Sequence, residues 1–181
     1  HSLGANTTAS NNTAVGYATL LYNTTGAYNV AVGANALDAN TTADANTAIG
    51  YSSGSAITTG TQNTAVGSTS LGVNTTGADN TAIGRSALYA NTTASNNTAV
   101  GSSALAANTT GIRNVAVGSY ALDANTTANY NVAVGYGSLT ANTTGTQNVS
   151  VGASALATNV TGHYNTGIGY RALTTTTAGN N

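Results

Sequence analysis

The sequence contains no Cys, Pro, Met, Trp or Phe, and only 4% of its 181 residues are charged. Without Cys, neither disulfide bonds nor thiol chemistry can contribute to the fold or to a reaction. Its three basic residues, Arg85, Arg113 and Arg171, are too scattered to form the basic face that nucleic-acid binding requires. No apolar run approaches the roughly 18 residues that span a bilayer, so membrane insertion is not expected either.

What the sequence does contain is one short unit, repeated without insertion or deletion. A pentapeptide of the form Asn-Thr/Val-Ala-Val/Ile-Gly recurs every 17 residues in ten copies, with Ser150 or Gly167 replacing the Ala in two of them. Residues 1–11 match the end of one further copy. The chain is therefore predicted to be one continuous array over residues 1–181, with a partial repeat at 1–11 and full repeats at 12–181.

We number the positions of each unit from 1 to 17, starting at the Asn of that pentapeptide. Positions 2 and 4 are Thr/Val and Val/Ile, which favour a short strand, and position 5 is Gly in every copy, where a positive φ would end that strand. Positions 12–15 read Asn-Thr-Thr-Gly/Ala in most copies, which is typical of a turn. The unit predicts one coil of an all-β, parallel β-solenoid of about ten 17-residue turns, rather than paired helices or a disordered tract.

The β-branched side chains at positions 2 and 4 are predicted to point inward, together with the Leu that occupies position 9 in all copies but one. The irregular copy has Gly54 in place of that Leu and Ile57 in place of the Asn at position 12, so these two positions are predicted to share one interior. Stacked Asn amides are expected to form a hydrogen-bonded ladder. The small residues at position 3 would then face outward as a flat packing strip for a second chain. The members of this predicted packing strip are Ala14, Ala31, Ala48, Ala65, Ala82, Ala99, Ala116 and Ala133.

The Ala-Val/Ile-Gly runs, such as Ala14–Gly16 and Ala82–Gly84, resemble the head repeats of YadA-type trimeric autotransporter adhesins and related repeats of tail-fibre-like proteins. The resemblance covers the whole chain, although the unit here is longer and carries Asn-Thr-Thr in most turns. It implies a left-handed β-roll, three chains packed side by side, and a role in binding host or matrix surfaces. By the same resemblance the chain would lie outside the cell, at a cell surface or in a virion fibre.

The predicted function is therefore that of a structural subunit of an extracellular fibre or filament, with a possible adhesive role and with itself as main partner. The first and last coils follow the repeat without the atypical caps that solenoids normally carry. This predicts either that the sequence is a segment of a longer protein or that its open ends stack head to tail. The alternatives are an ice-binding solenoid, suggested by the Thr rows at positions 13 and 14, and a functional amyloid of an extracellular matrix.

Many of the Asn-Thr-Thr turns are also acceptor sequences for N-glycosylation, so a heavily glycosylated surface fibre is one interpretation of them. The other is that these Asn residues serve only the turn and the ladder. The candidate glycosylation sites are Asn6, Asn23, Asn40, Asn74, Asn91, Asn108, Asn125 and Asn142.

No group of side chains in the sequence points to catalysis. A general acid and base must be held together, whereas Asp79 and Asp123 fall on different coils and the two acids of one unit, Asp38 and Asp44, occupy separate positions, 10 and 16. We therefore predict no enzymatic activity, with no catalytic, cofactor-binding or metal-binding residues and no cofactor.

Overall fold

The computed structural model describes residues 1–175, in which each 17-residue unit makes one coil of a parallel β-solenoid. Every coil contributes one three-residue strand at positions 2–4, and the ten strands form a single parallel sheet in chain order. The strands are β1 (Thr13–Val15), β2 (Val30–Val32), β3 (Thr47–Ile49), β4 (Thr64–Val66), β5 (Thr81–Ile83), β6 (Thr98–Val100), β7 (Val115–Val117), β8 (Val132–Val134), β9 (Val149–Val151) and β10 (Thr166–Ile168). The predicted all-β solenoid is confirmed, while residues 176–181 of the predicted array lie outside the described part. No helix within residues 1–175 has the length and apolarity needed to cross a membrane.

Adjacent strands pair in one constant register. Thr81 lies beside Thr98, Ala82 beside Ala99 and Ile83 beside Val100, and the same displacement of one repeat holds in all nine pairings. Because neighbouring strands are about 4.8 Å apart, the ten strands extend over about 43 Å along the solenoid axis. Each position of the repeat therefore forms a straight column of stacked side chains.

The coil closes through sharp corners with positive φ. Gly101 at position 5 has φ of 135°, and a Cβ on it would lie 2.6 Å from the carbonyl carbon of Gly118 in the next coil. Three further corners use ordinary residues in the left-handed region, as at Asn96 (φ 64°), Ser103 (φ 56°) and Leu105 (φ 54°). Holding a bulky Leu in this conformation costs about 1–2 kcal/mol, which complete burial of its side chain, about 1.5–3 kcal/mol, offsets.

The interior is narrower than the sequence suggests, and the prediction for positions 2 and 4 is wrong. Their β-branched side chains point outward, whereas the Ala of position 3 points inward and the Leu of position 9 is fully buried as predicted. A Cβ added to Gly167 at position 3 would lie 3.0 Å from Cγ of Leu156, so the strand and the Leu column face each other directly. Only a methyl group or a similarly small side chain fits between them.

Two columns of buried Asn side chains, at positions 1 and 12, run parallel to this apolar core. Asn108 donates from Nδ2 to Oδ1 of Asn91 at 3.0 Å and to the carbonyl of Gly111 at 2.9 Å. The position-1 residue Asn97 donates to that same carbonyl at 2.9 Å. Both lone pairs of the carbonyl at position 15 are thus used, and the predicted Asn ladder is confirmed as a buried polar spine.

In the irregular coil, the side chain at position 12 replaces the core volume that is missing at position 9, as predicted. Ile57 is buried in the core, and a Cβ on Gly54 would lie 3.0 Å from its Cδ1 and 3.2 Å from Cδ2 of Leu37. The side chain from position 12 therefore fills the space that Leu occupies in other coils. Because Ile57 cannot donate a hydrogen bond, the buried Oδ1 of Asn40 in the preceding coil has no partner.

Replacing Gly101 by Ala is expected to lower the free energy of unfolding by about 3 kcal/mol or more, because the new methyl meets the neighbouring backbone and the φ of 135° is strained for Ala. The matched control is Gly137→Ala. Gly137 has φ of 56°, and the nearest atom to an added Cβ is Oγ of Ser154 at 3.9 Å. Urea unfolding followed by circular dichroism measures both variants, and equal losses would contradict the close approach at position 5.

Restoring the consensus at the irregular coil should show strong coupling between its two positions. Ile57→Asn alone leaves a void beside Gly54, and Gly54→Leu alone crowds Ile57, so each single variant is expected to lose about 1–3 kcal/mol. The double variant fills the void and gives Oδ1 of Asn40 a donor, so it should be at least as stable as the natural chain. The coupling free energy from the double-mutant cycle is then the sum of the two single losses, at least about 2 kcal/mol, and additive losses would show that the two side chains do not share one space.

Candidate functional site

The structure places the predicted packing strip inside the coil. Ala14, in the first full coil, is partly buried, and the other seven members are buried in the core cluster, where they face the Leu column. The reason is the narrow interior, which leaves room for a methyl group at position 3 and none for two β-branched side chains. The Ala row is therefore a core feature, and the outward assignment of Ala14, Ala31, Ala48, Ala65, Ala82, Ala99, Ala116 and Ala133 was wrong.

The candidate glycosylation sites also lie inside, with one exception. Asn6 is exposed, whereas Asn23, Asn40, Asn74, Asn91, Asn108, Asn125 and Asn142 are fully buried. Their Nδ2 atoms, to which a glycan would be attached, donate to the carbonyl of position 15 in the same turn. A glycan on these seven nitrogens is incompatible with the folded chain, and the alternative interpretation as turn and ladder is confirmed.

The surface that replaces the Ala row is the outer face of the sheet, which we call the outer strip. It consists of the side chains at positions 2 and 4 of every coil. Position 4 is Val or Ile throughout, and the exposed fraction reaches 57% at Val15, 40% at Ile49 and 70% at Ile168. The members are Thr13, Val15, Val30, Val32, Thr47, Ile49, Thr64, Val66, Thr81, Ile83, Thr98, Val100, Val115, Val117, Val132, Val134, Val149, Val151, Thr166 and Ile168.

The outer strip is regular and flat because every strand has the same length and register. Its side chains form two columns, with a repeat of about 4.8 Å along each column and about 6.6 Å between positions 2 and 4 of one strand. Position 2 carries Thr in four successive coils, β3 to β6, at Thr47, Thr64, Thr81 and Thr98. The strip therefore combines an unbroken apolar column with a column that is partly hydroxylated.

The strip itself carries no charge, and the residues beside it differ from coil to coil. We call positions 17 and 6, which precede and follow each strand, the two flanks of the strip. Their charged residues are Asp79, Arg85 and Arg113. All ten Tyr of the chain are exposed, and seven of them stand on the flanks, at Tyr17, Tyr28, Tyr51, Tyr130, Tyr136, Tyr164 and Tyr170.

The polar groups elsewhere do not assemble into a reactive centre in residues 1–175. Burial raises the pKa of Asp38, whose Oδ1 has no hydrogen-bond partner. The other acid of its coil, Asp44, is exposed and accepts a hydrogen bond from the backbone N–H of Ala27 in the preceding coil. Nδ1 of His163 accepts a hydrogen bond from the backbone N–H of Thr146 at 3.0 Å. In this part of the chain no cavity and no group of three metal-binding side chains is found.

The fold and its outer face define the class of the protein as a parallel β-solenoid of tandem repeats. No family model, no curated protein and no solved structure matches the chain. The resemblance to adhesin head repeats therefore stays a prediction.

The residues of the outer strip can be identified from the sequence, but the sequence-based prediction placed them on the inner side of the strand instead of the outer side. The alternation within each strand shows that positions 2 and 4 share one face, and it does not show which face is interior. A signal was available in position 2, where Thr and Val interchange, because a hydroxyl without a partner is costly in a core and costs nothing at a surface.

Proposed function

We propose that the chain is a structural subunit of an extracellular or cell-surface fibre, in which copies pack side by side through the outer strip. The observation that carries the proposal is the unbroken column of Val and Ile on the outside of all ten strands. Monomeric soluble proteins rarely expose a contiguous apolar surface of this extent, because each fully buried Val or Ile side chain gains about 1.5–3 kcal/mol.

A second copy of the same chain is the partner that matches the strip best. The strip repeats about every 4.8 Å, and the face of another parallel solenoid has the same repeat. Flat sheet faces with β-branched side chains interdigitate when they pack, as they do in β-sandwiches. The absence of charge on the strip removes the desolvation penalty that would oppose such packing.

The location outside the cell and the adhesive role rest on the resemblance to adhesin head repeats, together with the rod-like shape of the solenoid. A rod of about 43 Å whose coils are joined by backbone and amide hydrogen bonds suits a shaft. The exposed Tyr side chains beside the strip are suitable contacts for a matrix protein or a glycan, since Tyr offers a large apolar ring and a hydroxyl. The head-to-tail stacking expected from the sequence stays a prediction.

The packing is tested by placing charge on the strip. In Val100→Lys/Val117→Lys both changes lie at position 4, and the control Thr110→Lys/Thr127→Lys puts the same charge on exposed turn residues of the same two coils. We expect the natural chain and the control to sediment as a discrete assembly of several copies, and the strip variant to associate at least about tenfold more weakly. Circular dichroism should be unchanged in all three, because none of the four side chains is in the core.

A natural chain that sediments as a monomer at high concentration would contradict the proposal. So would an assembly that the strip variant leaves intact. Negative-stain micrographs of the natural chain distinguish short bundles of rods from long filaments.

Ice binding is a second candidate function. The surface that would bind ice is then the outer strip and not the Thr rows at positions 13 and 14. The Thr residues of positions 13 and 14 lie in turns, and the hydroxyl of Thr92 at position 13 is used in a hydrogen bond to the carbonyl of Thr109. The outer strip instead presents Thr-x-Val or Thr-x-Ile on a flat strand in six coils. Regularly spaced Thr methyl and hydroxyl groups of this kind can order water.

If the strip binds ice, the purified chain should show thermal hysteresis, and Thr81→Lys/Thr98→Lys should abolish it because the two substitutions interrupt the longest Thr run. Thr110→Lys/Thr127→Lys serves as the control and should retain it. Freezing at the melting point, with no hysteresis in the natural chain, would exclude this candidate.

A further inference from the structure

The outer strip is almost the same in every coil, so two copies packed strip to strip could slip by whole coils with little change in apolar contact. Register is weakly specified wherever a pattern repeats without variation. In an assembly of defined register, the register must therefore be set by contacts at positions that differ between coils. The flanks at positions 17 and 6 are variable and lie beside the strip; position 17 is exposed in every coil and position 6 is exposed or half-buried.

One strand, β5, has opposite charges on its two flanks. Asp79 precedes β5 and Arg85 follows it, and both side chains are exposed. The strand Thr81–Ile83 separates them, and within residues 1–175 neither has an ion-pair partner in its own chain. Each is thus available to a group outside the chain.

We infer that copies of this chain associate parallel and in register, with Asp79 of one copy facing Arg85 of the next. The inference rests on the proposed packing through the outer strip. In a cyclic assembly whose axis runs along the solenoid, the position-17 flank of each copy lies beside the position-6 flank of its neighbour at the level of the same strand. This geometry holds for two copies and for three.

The Tyr residues fit the same register. Strands β8 and β10 have a Tyr on both flanks: Tyr130 and Tyr136 flank β8, and Tyr164 and Tyr170 flank β10. In-register packing places an aromatic ring of one copy beside an aromatic ring of the next at both levels, which is a favourable pairing. The guanidinium of Arg113 lies 5.5 Å from the centre of the Tyr130 ring and donates to its hydroxyl, so this ring is already held in place.

A slip of one coil loses all of these pairs together. Asp79 would then face Ser68 or Ser102, and Tyr130 would face Ser119 or Ala153. An antiparallel arrangement places flanks of the same kind together, so Asp79 could meet Arg113, while Arg85 would find no acid on its flank. Only the parallel, in-register arrangement brings together Asp79, the one acid of the flanks, with Arg85 on the other side of the same strand, and also forms both Tyr pairs.

Charge reversal tests the pair directly. Asp79→Arg and Arg85→Asp, each alone, place like charges together and are expected to weaken association at least about tenfold, whereas the double variant should return to within about threefold of the natural chain. The measurement is sedimentation velocity at low and high salt, with urea unfolding as the check that folding is unchanged. Single variants that associate like the natural chain, or a double variant that is not rescued, would overturn the inference.

Disulfide trapping tests the register independently, because the chain has no Cys of its own. Asp79→Cys and Arg85→Cys are made as separate proteins and mixed, so that a bond between the two positions must join two copies. Such a bond forms only where the Cα atoms approach to about 4.4–6.8 Å. We expect the mixed 79–85 dimer to predominate, and Asp79→Cys mixed with Ser102→Cys, one coil further, to give little.

The outcomes separate this inference from the proposed function. A predominant bond between positions 79 and 102, or between 79 and 113 when Arg113→Cys is the second protein, would overturn the in-register arrangement and leave strip packing in place. A natural chain that remains monomeric in sedimentation would overturn both.

Discussion

The buried Asn columns are the constraint on which the rest of this structure depends. An amide in the interior must be hydrogen-bonded, since an unpaired buried polar group costs about 1–3 kcal/mol. Here most of the amides pair with the amide or the backbone N–H at the same position one repeat away, together with one carbonyl of the turn. A single inserted residue would leave these amides unpaired throughout the coil, so the 17-residue period is enforced at every turn. The constant strand register and the straight columns on the surface follow from it.

The narrow interior is the second determinant, and it explains why the surface is apolar. Opposite a Leu column there is space only for Ala-sized side chains on the strand, as the neighbourhood of Gly167 shows. The β-branched residues that the strand needs for its conformation must then point outward. An extended array of these residues is consequently an apolar surface, and the proposed packing against another copy would remove it from water.

Much of the fold could be predicted from the sequence because every coil has the same pattern of residue types at the same spacing. The period, the strand at positions 2–4, the corner at position 5, the Asn ladder and the compensation between Gly54 and Ile57 were all derived from residue types and spacing, and all are confirmed. The face of the strand that points to the interior was predicted wrongly. Alternation along a strand defines two faces but does not show which is buried, and that choice depends on the width of the coil. That width depends on corners at positions such as Leu105, where a bulky residue adopts positive φ against its intrinsic preference. No local sequence pattern predicts such corners, and for that reason the sequence did not show that the outer strip lies at the surface.

The same geometry separates the residues that make the fold from those that can specify its partners. Position 17 keeps φ near +60° whether it holds Tyr28, Asp79 or Arg113, so the backbone at this corner does not depend on which side chain it carries. Its side chain is exposed in each case and adds little to the core. Changes there can alter charge or aromatic content beside the strip without disturbing the amide columns. Because the strip varies only between Thr and Val at position 2 and between Val and Ile at position 4, the more varied flanks are the better place for information about orientation and register.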